Sequence, residues 1–543
     1  MLPNFENRLK NESAELYFFE NGKETGGRRV FAPASLVGLT LALPRSLGTS
    51  AAELTLFSER GEPLLRLPLS FVEWEGEREA YAALLEPPPA AVPLCFLSLA
   101  LDTAFGRLFC TEREDGTLSF VAYPSPDTRI PLLLLESDEK KAPPVGGPLY
   151  CLPLSSACRM KREEAEALLS TLSSLGMGAV YLCPSPREGA DGEGGDPSTP
   201  SPSVFLTLAR EKGITVLGDL LLLLGVGEHP DLLFGGFCSP PSQNAPVEEE
   251  PRPAFWGLPL SLQEEGGSSL ADICGEAGVV EHALRAGYGG LVVRAADCFG
   301  DSFLAAMRKT LAGAGEPLLL GGTETGSVAI AFGTRRRFFF GGELDAPLSY
   351  TLRDALLAYF LSRDIRPLAA YLRKTLPIMP PATLAATPNL LSDGAVGCFY
   401  EALAPLGEER EPVAAMAYLA AATLAGVPAY YAGEEEAWEG GVALLRRLAL
   451  LRKKEPTYAQ ASFSLLHLTP TLLVFLRKGE GEGLLTVLNP SGEPLTVSSP
   501  DGFFVVFGGR GRKQRFTLRP RGGAVLKIPL WEGESCRLHF SHT

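Results

Sequence analysis

The sequence predicts an α/β protein, a (β/α)8 TIM barrel flanked by an N-terminal β-sandwich and a C-terminal all-β domain. Three observations carry that expectation. From residue 146 to 458, strand-like runs alternate with helical segments, as a parallel sheet covered by helices requires. About 300 residues of such alternation suit an eight-unit barrel. On either side, short apolar runs divided by turn residues read as β-structure alone. The chain has 543 residues, more than one core usually holds, so several domains are expected.

Residues 1–140 form the expected β-sandwich. Its apolar runs include Leu54–Phe57, Leu94–Leu101 and Leu132–Leu135, with turn signals at Arg60-Gly61 and Asp115-Gly116. Glu139–Val145 is charged and then proline-rich, which marks a boundary. Leu149–Leu154 reads as a strand, Lys161–Leu175 as a helix with apolar residues three to four apart, and Gly178–Cys183 as a second strand. Val204–Lys212 reads as a helix and Ile214–Leu224 as a strand. Pro184–Pro202 and Pro240–Pro253 have loop composition. The acidic run Glu248–Glu250 in the second loop reads as solvated rather than as a cation site. Residues 459–543 return to β-texture, with runs at Leu472–Leu476, Leu484–Leu488, Phe503–Phe507 and Ala524–Ile528. No internal repeat is evident.

Composition excludes several classes. With 45% hydrophobic and 21% charged residues the chain reads as an ordinary globular protein. Its net charge of −15 argues against nucleic-acid partners and against docking on anionic membranes. The N-terminal segment has no basic stretch followed by an apolar run, so no secretory signal is expected. Val413–Ala422, the longest apolar stretch, is too short to span a bilayer. Ten cysteines without CxxC spacing read as reduced, buried thiols, and a cytoplasmic location is the expectation. Among five histidines only His539 and His542 are closely spaced, so no metal site is expected. There is no GxSxG elbow and no phosphate loop, and no cofactor is expected. Gly321–Gly326 is glycine-rich without the dinucleotide fingerprint. Arg335–Arg337 before Phe338–Phe340 reads as a solvated loop entering a buried strand rather than an acid-binding cradle.

Thr423–Gly441, TLAGVPAYYAGEEEAWEGG, closely resembles a stretch of the α-amylase family of glycoside hydrolases. Further segments follow in family order. Leu149-Tyr150 resembles the first barrel strand, Leu175–Pro184 the second, and Gly213–Asp219 the third. Phe255–Leu260, FWGLPL, resembles the segment before the fourth strand, and Asp345–Tyr350, DAPLSY, the Asp-x-x-Met-Asn-Tyr stretch. Arg446–Pro456 resembles the link into the C-terminal domain. The order of domains is similar to the neopullulanase and cyclomaltodextrinase branch. That resemblance implies a carbohydrate-binding-module-like N-terminal domain. It implies Asp219, Asp345, Tyr350 and Trp256 as substrate-binding candidates.

The same resemblance implies a missing catalytic set. Glycosidic hydrolysis in this fold needs two carboxylates at the C-terminal ends of strands, about 5–5.5 Å apart in retaining enzymes. In GGLVVRAAD, Gly290 and Ala296 fall on family positions, Val292 replaces an Arg, and Arg294 replaces the nucleophilic Asp. In PLLLGGTE, Gly321 matches the family Gly and Gly322 falls on the proton donor. Glu324 lies two residues on, displaced by about 6–7 Å along a strand. It reads as a loop or ion-pair residue rather than a substitute acid. In NLLSDGAV, Gly394 and Ala395 replace the His-Asp pair. Asp393, one residue away, reads as a turn residue on the opposite face. Leu223 and Leu224 replace Asn-His, and Ser155-Ser156-Ala157 replaces Asp-Arg-Phe.

The expected function is therefore a catalytically inactive, α-glucan-binding, regulatory or scaffolding relative. The alternative is an active hydrolase or transglycosylase with relocated carboxylates, drawn from Asp219, Asp297, Glu324, Asp345 and Asp393. A third reading is an assembly subunit. Expected partners are an α-glucan or maltooligosaccharide, and a second copy of the chain or an active homologue.

Overall fold

The computed structural model describes residues 12–33, 35–86, 94–113, 116–124, 129–135, 147–183, 202–220, 273–275, 278–294, 296, 301–313, 317–322, 330–331, 334–335, 338, 343–394, 396–434, 436–455, 458, 462–479, 481–530 and 537–542. The boundary at 139–145, the loops at 184–201 and 240–253, and most of the 335–340 run lie outside them.

The N-terminal domain is all-β. Its long strand Pro63–Glu75 pairs first with Ala51–Ser58 and then with Arg78–Leu85, so the sheet turns a corner inside it. The two halves face each other over one core. Leu39 and Leu41 from one half meet Leu54, Leu56, Leu97 and Leu99 from the other. Leu39 and Leu41, Leu54 and Leu56, and Leu97 and Leu99 share the core face because side chains point to opposite faces in turn. Ile378, from the barrel, packs among Val30, Leu94, Phe96 and Leu133 and ties the two domains together.

Eight parallel strands make the barrel: Leu149–Pro153, Ala179–Cys183, Thr215–Asp219, Gly290–Val293, Leu318–Gly322, Ala346–Leu348, Pro388–Asn389 and Val427–Tyr431. They are hydrogen-bonded in the order sixth to first, then eighth and seventh. The sixth and seventh lie side by side and complete the ring. Residues at every second position point inward. Leu149, Cys151, Tyr181, Leu217, Val292 and Leu320 are among those that fill the interior. Their neighbours Val180, Val216, Leu291, Val293 and Leu319 point outward beneath the helices. The apolar run Ile214–Leu224 was read as one strand. The strand instead ends at Asp219, and Leu220 already has helical backbone.

Gly290 is dictated by packing. A Cβ there would stand 2.5 Å from the Leu318 carbonyl oxygen and 2.7 Å from Leu217 Cδ2. Gly321 is similar, since a Cβ would meet Leu344 Cδ1 at 2.3 Å.

The C-terminal domain is an antiparallel sheet that bends within Leu495–Phe507. Val474, Leu485, Val487, Val497 and Leu526 form its own core. The alternate residues Leu473, Phe475, Leu484, Leu488 and Val525 join the barrel core. Helix Arg410–Thr423 lies between the two and is buried from Met416 through Thr423 on every side. A helix apolar all round needs such a sandwiched place. Among the described residues, no helix is long and apolar enough to cross a membrane, and the described cysteines carry no disulfide.

Candidate functional site

The C-terminal ends of the barrel strands define the mouth, where catalytic groups sit in this architecture. Side chains two positions beyond an inward residue also point inward. Asp219 follows Leu217, Arg294 follows Val292, Gly322 follows Leu320, and Tyr350 follows Leu348. Cys183 follows Tyr181, and Tyr431 follows Ala429. These form the top layer of the barrel interior.

The centre of that layer is an ion pair. Arg294 Nε donates to Asp219 Oδ2, which also accepts the Tyr181 hydroxyl at 2.7 Å. The Asp219 side chain is wholly buried, and that of Arg294 is 23% exposed. Burial works against the Arg294 charge, but the Asp219 carboxylate and Tyr181 outweigh it and hold the guanidinium more firmly protonated than usual. Burial, with Asp219 adding to it, pushes the Tyr181 phenol well above its ordinary range. Tyr181 therefore stays a donor to Asp219.

Asp393 is a second buried carboxylate at the mouth. Its Oδ2 accepts the Tyr350 hydroxyl at 2.7 Å, and its Oδ1 accepts the Val396 N–H at 3.0 Å. Its carbonyl accepts the Gly397 N–H at 3.0 Å. The turn expected at Asp393 is present, but the side chain does not point away from the site. The reason is local. The seventh strand spans only Pro388–Asn389, so period-two alternation does not extend to residue 393. Arg353 holds this irregular segment, with Nε on the Leu391 carbonyl at 3.0 Å and Nη2 on the Val396 carbonyl at 3.2 Å.

Beside these groups, burial pushes the Cys183 thiol up to about 12. The Gly394 N–H opposes the shift and Asp393 adds to it. Burial, then Asp393, also raises the Tyr350 phenol well above its usual value. The layer is thus protonated and hydrogen-bonded around two carboxylates.

Asp345 lies elsewhere. It precedes the sixth strand, at the N-terminal end of the barrel. Its Oδ2 accepts the Leu319 N–H at 2.7 Å and pairs with Arg308 at 2.6 Å. It braces two strands and a helix on the face opposite the mouth, so it leaves the set of substrate-binding candidates. Gly322 is half-buried at the end of the fifth strand. Trp256, Asp297, Glu324, Ala395, Leu223 and Leu224 lie outside the described residues. Ser155-Ser156-Ala157 lies in a short helix, Leu154–Arg159, directly after the first strand. Glu434, in the segment most like the α-amylase family, is buried and accepts the Tyr400 N–H at 3.0 Å, a supporting role.

Tyr181, Cys183 and Tyr431 were not singled out in the sequence. Counting by two from the strand starts Ala179 and Val427 would have put all of them on the inner face. No group of His, Cys, Asp and Glu among the described residues could hold a metal ion.

No protein-family model matches the sequence, and no curated protein matches it. Solved structures do. A cyclomaltodextrinase superposes with a TM-score of 0.54 at 15% identity, over 91% of this chain and 97% of the other. A maltogenic amylase from S. marinus gives 0.53 at 14% identity, over 94% and 82%. An Anoxybacillus α-amylase gives 0.55 at 12% identity, over 72% and 99%. The chain therefore has the fold of α-amylase-family glycosidases, at identities that speak for the fold alone.

Proposed function

We propose that the protein is a catalytically inactive relative of the α-amylase-family enzymes, which keeps the barrel mouth to bind an α-glucan or maltooligosaccharide in a regulatory or scaffolding role. The observation that carries this reading is the Arg294–Asp219 ion pair at the top of the barrel. A guanidinium has no nucleophilic lone pair and keeps its proton. It cannot form a glycosyl intermediate, and here it also occupies the neighbouring carboxylate. Gly322 brings no proton donor to the fifth strand. With the groups of a site gone together, little but binding remains.

One observation favours a second reading, a working hydrolase with relocated carboxylates. Asp393 is buried at the mouth with Tyr350 as a donor, and a carboxylate in such a place can serve chemistry. Two measurements separate the readings. Purified protein is expected to release no sugar from starch, pullulan or cyclodextrins, while maltooligosaccharides raise its melting temperature. Turnover abolished by Asp393→Asn or Glu324→Gln would establish the second reading and sink the first.

A further inference from the structure

A cavity of about 1280 Å³ opens away from the mouth, on the N-terminal face of the barrel. Gly147, Gly176 and Gly426, which lead into the first, second and eighth strands, form its barrel wall. Phe463 and Arg477 form its wall on the C-terminal domain.

In a chain of net charge −15, this wall is cationic. Lys23, Arg28, Arg452, Lys453 and Arg477 line it, against the carboxylates Glu20 and Glu24. Both carboxylates already face cations. Glu20 pairs with Arg28, and Glu24 lies 3.6 Å from Lys478. Glu455, on the same stretch of chain as Arg452, is held by Lys527 at 2.7 Å.

Arg452 and Arg477 are the deep pair. Arg477 is 3% exposed and donates from Nη2 to the Tyr458 carbonyl at 2.9 Å. Arg452 lies over the Tyr458 ring, 5.0 Å from its centroid, and donates from Nη2 to the Gly426 carbonyl at 2.8 Å. Its Nη1 is buried with no hydrogen-bond partner among the described residues. Burial, and after it the Arg452 charge, lower the Arg477 pKa to about 9. The two charges oppose each other, and an anion beside them relieves that repulsion. Guanidinium forks match phosphate oxygens in pairs.

We propose that this cavity binds a phosphate group, free or carried on a small molecule, between Arg452 and Arg477. Its size leaves room for more than the phosphate itself. The site is separate from the barrel mouth, so it stands whether or not the mouth binds a glucan.

Equilibrium dialysis of the full chain with labelled inorganic phosphate, at constant ionic strength, tests it. One saturable phosphate per chain is expected, and Arg452→Gln is expected to weaken it by roughly tenfold or more, the loss of one charged hydrogen-bond donor set. Competition separates the sources. A hexose phosphate that displaces the label at lower concentration than phosphate itself marks a phosphorylated small molecule. Displacement by phosphate and sulfate alone marks a free anion. Absence of saturable binding, or binding unchanged in Arg452→Gln, overturns the proposal. If that variant does not fold, phenylglyoxal labelling of the unaltered chain decides. Protection of Arg452 by phosphate supports the site, and equal labelling with and without phosphate overturns it.

Discussion

Replacing Arg294 by alanine would take the cation away from the buried Asp219 carboxylate, which also accepts the Tyr181 hydroxyl. Breaking a buried pair from one side costs about 3–5 kcal/mol. Urea denaturation of Arg294→Ala is expected to show a loss of that order. The double variant Arg294→Met/Asp219→Leu, which removes both charges, is expected to recover most of it. A single variant as stable as the parent would mean that the pair contributes nothing to the mouth. Arg294 was legible at this scale because it follows Val292 by two, directly at the end of a regular strand. Asp393 was not, because its side chain direction depends on a turn held by Arg353 rather than on any strand.

At the level of elements, the barrel depends on close approach between neighbouring strands. The fourth strand can lie against the third and fifth because residue 290 has no side chain. Gly290→Leu would force its side chain into the Leu318 carbonyl and Leu217. A cost of about 1–3 kcal/mol or more is expected, read as a lower midpoint in denaturant. Unchanged stability would show that the strands can separate without loss. Strand positions were readable from apolar runs bounded by Gly and Pro. Strand ends were not, as Leu220 shows. A run of leucines satisfies a buried strand and a buried helix equally well.

Across the molecule, the C-terminal sheet and the barrel share one core. Phe475 from the sheet and the helix Arg410–Thr423 belong to the same buried cluster. Phe475→Ala should cost about 3–5 kcal/mol. It is expected to shift one calorimetric transition to lower temperature rather than split off a second. A C-terminal domain that melts alone, while the helical signal of the barrel persists, would contradict this. The stretch Val413–Ala422 was visible as too short for a bilayer. That it belongs between two domains followed only from what packs on both its faces.

The sequence by itself determined the all-β, α/β, all-β order of the chain and the place of several barrel strands. Each of these follows from a local period or a local turn. The tertiary structure alone decided what those residues meet. It paired Arg294 with Asp219 and turned Asp393 inward. It moved Asp345 to the far end and gathered Arg452 and Arg477 around one cavity. These contacts join residues far apart in the chain, and which charged side chains are buried together has no signature in local sequence.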